Sequence, residues 1–216
     1  MSIEVDKPVE RSVDSIQTIY AVVMALAISQ AIQSLLREPS FGAVLNLGRV
    51  SPAVPAFVAF LVTLVPFWHG MNRHLDRCYL EKGGTVVQGA LLLDFVVFFL
   101  ESSFLFAAGW SLRSGIESFQ YLGWLLCVDM LWGFISHQIH FRGEKSHVVK
   151  WSKINLVALF LAILVVAYPF QAKQTVLMVV AFVRSVADYW FCWDFYFPRK
   201  EVEKDKAVLQ SGKTAS

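Results

Sequence analysis

The chain has 216 residues, of which 56% are hydrophobic and 17% are charged, and its formal net charge at pH 7 is +2. Soluble domains carry about a quarter charged residues. Here the deficit lies in long apolar runs separated by short charged clusters, which is typical of a polytopic membrane protein and excludes an ordinary soluble domain. The small net charge gives no indication of a nucleic-acid partner.

Six apolar runs each approach the ~20 residues that cross the hydrocarbon core of a bilayer. They predict an all-α bundle of six transmembrane helices, at about 15–36, 53–72, 87–110, 119–137, 154–170 and 175–193. A short N-terminal segment (1–14) precedes this membrane domain (15–197). A charged tail (198–216) follows it and is predicted to be disordered, because it has too few apolar residues to build a core.

Lysine and arginine residues predict how the chain is oriented, since they concentrate in cytoplasmic loops. Fourteen of them lie in the N-terminal segment, the second-to-third loop, the fourth-to-fifth loop and the C-terminal tail. Four lie in the other loops, and Arg184 falls inside the sixth run. This alternation supports six spans and predicts that both ends of the chain are cytoplasmic.

Ionisable residues inside a membrane are costly and are therefore candidates for function. Asp94 and Glu101 are seven residues apart, which places them on one face of the third helix. They would form either a cation or proton path, or structural bonds to a neighbouring helix. Arg184 and Asp188 are four apart and can pair with each other. Asp129 has no partner on its own helix, although it could reach Arg184.

Histidines and cysteines give no clear metal motif. His69 and His74 flank the end of the second run, and His137 and His140 the end of the fourth, and such spacing can ligate a metal. Without paired cysteines, we interpret all four as solvated histidines at the membrane interface. The three cysteines imply no disulfide framework and are interpreted as buried apolar residues. No cofactor or nucleophile motif is present, which favours a protein that is not an enzyme.

Parts of the chain resemble a known family. The first helix opens with Arg11 and continues through Ser15-Ile16-Gln17 to Tyr20-Ala21, and the second run ends Phe67-Trp68-His69-Gly70-Met71-Asn72-Arg73. Leu93-Asp94 opens a further apolar run. These segments, about half of the chain, resemble the transmembrane protein 175 family of prokaryotic and lysosomal potassium channels. The match is at Arg11, Phe67, Trp68 and Arg73, while Ser15-Ile16-Gln17 replaces that family's Phe-Ser-Asp.

The resemblance implies a homotetramer in a bacterial inner membrane that conducts monovalent cations, potassium above all. It implies a pore lined by first helices, with the positions of Val22, Leu26 and Ser29 forming the constriction; Val22 and Leu26 keep it apolar, and Ser29 does not. Ser29, Gln30 or Gln33 would line the outer mouth. Structural roles are implied for the residues at the family's motif positions, namely Arg11, Gln17, Trp68, Arg73 and Asp94.

Two other interpretations stay open from the sequence. The chain could be a non-conducting subunit or scaffold that binds another membrane protein. It could also be a proton-coupled transporter or a membrane enzyme that uses the intramembrane acids, among them Glu101, Asp129 and Asp188.

Overall fold

The computed structural model describes residues 7–37, 51, 53–81, 89–141, 147–169 and 172–198. They form seven α-helices and no strand, which confirms the all-α prediction. The helices are α1 (Lys7–Leu36), α2 (Ala53–Leu75), α3 (Ala90–Trp110), α4 (Ile116–His140), α5 (His147–Ala167), α6 (Lys173–Phe191) and α7 (Trp193–Tyr196). A π-helical segment (Asp76–Glu81) continues α2, and a 3-10 turn (Leu112–Ser114) joins α3 to α4. The predicted charged tail lies almost wholly outside the described residues.

Five helices among the described residues are long and apolar enough to cross a membrane. They are α1, α2 with its π-helical continuation, α3, α4 and α5. Their outward side chains are largely apolar and exposed, as a surface that faces lipid requires. This confirms the prediction of a polytopic membrane bundle. Helix α6 is not in this set, because polar and charged residues such as Arg184 and Asp188 lower its mean hydropathy.

The helix ends differ from the predicted ones. Helix α1 begins at Lys7 and α5 at His147, each about two turns before the apolar run, and α2 continues past Asn72. The reason is that hydropathy detects only the part of a helix that fits the hydrocarbon core. The backbone hydrogen bonds that define a helix continue into the polar turns at either end.

The six long helices form a closed ring in the order α1, α3, α4, α5, α6 and α2, and α2 also contacts α3 and α4. Consequently α2 is the most buried of the candidate spans. Hydrogen bonds near both of its ends fix the position of α1. Gln17 donates to Asp76 Oδ1 (2.9 Å) near one end, and Ser34 donates to the Trp110 carbonyl (3.3 Å) near the other.

Small residues bring α1 and α3 close together. A Cβ atom added at Gly109 of α3 would lie 2.9 Å from the carbonyl oxygen of Ala27 and 3.3 Å from the Cβ of Ala31. Close contact through glycine and alanine is a common way for membrane helices to associate. It leaves the opposite face of α1 uncovered.

Candidate functional site

The uncovered face of α1 carries a continuous line of exposed residues, which we call the outer seam. Its members follow one another at intervals of three or four, so they lie on one side of the helix. They are Arg11, Ser15, Thr18, Val22, Leu26, Ser29 and Gln33. Val22 and Leu26 are each 56% exposed and form an apolar middle between two polar ends. The three residues assigned to the constriction by resemblance therefore share this seam.

The polar side chains of α1 divide into two groups. Those on the inward side bond to other helices, as Gln17 does with Asp76 and Ser34 with Trp110. Those in the outer seam bond within α1. The Ser15 hydroxyl donates to the Arg11 carbonyl (2.8 Å), and the Gln33 side-chain amide lies 3.5 Å from Ser29 Oγ. Among the described residues, no other helix forms a hydrogen bond with the polar side chains of the outer seam.

A second concentration of polar groups lies inside the bundle, and we call it the buried polar core. The Nε of Arg184 on α6 donates to Asn155 Oδ1 on α5 (2.7 Å), and the Asn155 amide donates to Asp129 on α4. The Arg184 guanidinium is 3.7 Å from Asp188 Oδ2, which also accepts a hydrogen bond from the Tyr196 hydroxyl (2.8 Å). Asn155 thus connects Asp129 to Arg184.

Glu101 of α3 is also buried and interacts electrostatically with Asp129 and Arg184. Oxygen atoms of Glu101, Asp129 and Asp188 have no hydrogen-bond partner among the described residues. Three buried carboxyl groups lie around one guanidinium, and the His74 imidazole also interacts electrostatically with Glu101 and Asp129. Buried carboxyl groups of this kind are candidates for binding protons or a cation.

The residues of the resemblance motif have different surroundings. Arg73 donates to the Phe195 carbonyl (3.1 Å) and to Glu81 Oε1 (2.8 Å), so it ties α2 to α7 and to the π-helical segment. Asp94 is fully buried and accepts a hydrogen bond from the Tyr79 hydroxyl (2.6 Å). Trp68 is exposed, as an aromatic residue at a membrane interface usually is, and Arg11 begins the outer seam.

The interpretation of His74 as a solvated histidine is wrong, because its side chain is 2% exposed. His69, His137 and His140 are partly buried. His74 lies beside Cys78, and both lie close to His140. Hydropathy places these residues at a membrane interface, but it does not show that α2 and α4 end against each other.

Cys192 contrasts with Cys78. It follows α6 and packs with Trp151, Phe195 and Tyr196. No group of metal ligands surrounds its thiol among the described residues.

No family model, curated protein or solved structure matches this chain. Sequence reasoning missed Asn155, whose polarity inside an apolar run was the available signal. It also missed the spacing of His74 and Cys78, which are one helical turn apart.

Proposed function

We propose that this chain is the subunit of a homo-oligomeric cation channel, in which copies of α1 line the pore and Val22 and Leu26 form its constriction. The outer seam is the observation that carries the proposal. A helix face in contact with lipid is expected to be apolar. The exposed residues of α5 between 156 and 167 meet that expectation, since all of them are apolar. The outer seam of α1 does not.

A second copy of the chain is the occupant that the seam fits best. In a closed ring, every copy presents the same face to the axis. The polar ends of the seam would then contact water instead of lipid. Ala21, Ala25 and Ile32, which are also exposed, would pack against neighbouring copies. The homotetramer implied by the family resemblance is the form we adopt for this proposal.

Conduction follows from the order of residues along the seam. Ser29 and Gln33 offer side-chain oxygens that can replace part of the water shell of a monovalent cation. Val22 and Leu26 would narrow the axis with apolar side chains, and such a constriction can close by dewetting. No acidic or basic residue lies between Ser15 and Gln33.

The proposal includes α6 as a sixth span. Its 19 residues extend about 28 Å at 1.5 Å per residue, close to the thickness of the hydrocarbon core. Its charged residues, Arg184 and Asp188, are buried inside the bundle, and the side chains it exposes include Val179, Phe182 and Trp190. Six spans place both ends of the chain on one side, which the distribution of Lys and Arg makes the cytoplasmic side.

The test is potassium flux into liposomes that contain the purified chain. Replacing Val22 or Leu26 with serine should raise the flux at least about tenfold, equivalent to lowering the barrier by ~1.4 kcal/mol. Val157→Ser and Leu156→Ser are matched controls, because these α5 residues are 59% and 57% exposed. They should leave the flux unchanged.

A folded protein that passes no cation, and that gains no leak with either α1 substitution, would contradict the channel. Equal effects of the α1 and α5 substitutions would contradict the assignment of the pore to α1. A silent protein that co-purifies with another membrane protein in fixed proportion would instead support the non-conducting subunit.

A second candidate, proton-coupled transport, is favoured by the buried polar core. Arg184 borders a cavity of ≈ 50 Å³ between α2, α4, α5 and α6, which has room for about one water molecule. Thr63 and Arg184 are the polar residues that line this cavity, and Arg184 connects it to the carboxyl groups of the buried polar core. If this candidate is correct, Glu101→Gln should abolish proton uptake driven by a pH gradient. Glu117→Gln, at an exposed position on α4, should have no effect.

A further inference from the structure

Three potential metal ligands meet where α2 and α4 end. His74 belongs to the last turn of α2, Cys78 to the π-helical segment that follows, and His140 ends α4. One donor atom from each residue lies within 4.8 Å of the other two. Cys78 Sγ is 3.8 Å from His74 Nδ1 and 3.7 Å from its Nε2.

These distances are close to those of a tetrahedral site. With zinc–sulfur bonds of about 2.3 Å and zinc–nitrogen bonds of about 2.0–2.1 Å, neighbouring ligand atoms lie about 3.5 Å apart. The Cys78 sulfur and the His74 nitrogens are already close to this separation. Rotation of the His140 ring and of the Cys78 side chain can supply the remaining approach, without movement of a helix.

The surroundings also suit a metal. Asp94 Oδ2 lies 3.5 Å from His74 Nε2 and is held by the hydroxyl of Tyr79. Histidines that ligate metals usually donate their second nitrogen to a carboxylate in this way. The other oxygen of Asp94 is buried and has no hydrogen-bond partner among the described residues. A cation close to Asp94 would therefore balance a buried negative charge.

Two further features limit which ion fits. The rings of Phe98, Trp132 and Phe141 surround His74 and shield that side of the site from water. His140 is only partly buried, so a water molecule can supply the fourth ligand of a tetrahedral ion. One thiolate and two imidazoles prefer borderline and soft ions such as Zn²⁺ to Mg²⁺ or Ca²⁺, which take oxygen ligands. A π-helical turn, which is common at functional sites, places Cys78.

We propose that His74, Cys78 and His140 bind one zinc-class ion, with Asp94 orienting His74. The thiol proton of Cys78 is released to solvent when the sulfur binds the ion. The bound ion fastens α2 to α4 at the end of the bundle where Gln17 bonds to Asp76. His74 also interacts electrostatically with Glu101 and Asp129 of the buried polar core, so the metal site adjoins that core. Metal binding does not depend on whether the protein conducts ions.

The test uses the full-length purified chain in detergent, stripped with a chelator and titrated with Co²⁺ and then with Zn²⁺. We expect one Co²⁺ to bind per chain. Its spectrum should show a sulfur-to-cobalt charge-transfer band, called the sulfur band below, and the intense visible bands of tetrahedral cobalt. Zinc should displace cobalt and raise the melting temperature. This first test uses the wild-type protein alone, so the misfolding of a variant cannot affect its result.

Variants then assign the ligands. Cys78→Ser should abolish the sulfur band, and His140→Gln should weaken binding at least a hundredfold. Asp94→Asn should lower the affinity about tenfold to a hundredfold while the sulfur band remains. Cys192→Ser and His137→Gln are the matched controls and should bind as the wild type does.

Three results would overturn the proposal. The first is a wild-type chain that binds less than one Co²⁺ per chain and shows no sulfur-to-cobalt charge-transfer band. The second is loss of the sulfur band in Cys192→Ser. The third is a Cys78→Ser variant that binds as tightly as the wild type, because His74 and Cys78 would then form only a hydrogen-bonded pair.

Discussion

The guanidinium of Arg184 is surrounded by groups from several helices. It bonds to Asn155, lies beside Asp188, and sits 4.9 Å from the centre of the Phe67 ring. A buried charge that loses its partner is strongly destabilising, because the remaining charge stays out of water. Arg184 is therefore the residue on which the acids of the buried polar core depend most.

We expect Arg184→Met to lower the free energy of unfolding by about 3–5 kcal/mol, since it leaves Asp129 and Asp188 without their cation. The measurement is an unfolding titration of the purified protein in mixed micelles. Arg37→Met is the control, because Arg37 is exposed at the end of α1, and it should change stability by no more than about 0.5 kcal/mol. Equal stability of the two variants would show that the core acids do not need Arg184.

At the scale of helices, Gly109 allows α3 to pack directly against the backbone of α1. An alanine at Gly109 would place its Cβ 2.9 Å from a backbone carbonyl of α1, so one helix must move. Gly123 of α4 differs, because a Cβ there would meet only Leu159 Cδ1, at 3.8 Å. The two positions form a natural pair for a test of close packing.

Gly109→Ala should destabilise the protein by about 1–3 kcal/mol, the usual cost of overpacking. Gly123→Ala should be neutral or slightly stabilising, since alanine favours the helix and the space is available. Melting temperatures of the two variants in the same detergent are the measurement. A Gly109→Ala variant as stable as the wild type would mean that α1 is not held closely against α3.

The sequence predicted the centres of the helices better than their ends or their contacts. Apolar runs located all six long helices, and five of these helices are long and apolar enough to cross a hydrocarbon core. The spacing of Asp94 and Glu101 predicted a shared face, and both side chains are buried. The bond from Asn155 to Asp129, and the meeting of His74 with His140, could not be predicted. Each joins residues from different helices whose relative position no local pattern encodes.

At the scale of the whole molecule, the proposed six spans place both chain ends on one side of the membrane. Fusing a fluorescent reporter that matures only in the cytoplasm to either end should give bright cells. A periplasmic alkaline phosphatase fused at Arg113, between α3 and α4, should be active, since this turn belongs to the opposite side. Bright fusion at only one end would show that α6 does not cross the membrane.

The partnership of α2 with α6 has a consequence for how the protein is made. The Ser185 hydroxyl of α6 donates to the Val62 carbonyl of α2 (2.6 Å), across 123 residues of sequence. Arg73 of α2 likewise donates to the Phe195 carbonyl of α7, which follows α6, across 122 residues. A ribosome releases the chain in order, so α2 enters the bilayer long before the helix that covers it exists. Until α6 is made, α2, the most buried of the candidate spans, has to contact lipid or a chaperone. A chain truncated before α6 should therefore be recognised as unfinished and degraded.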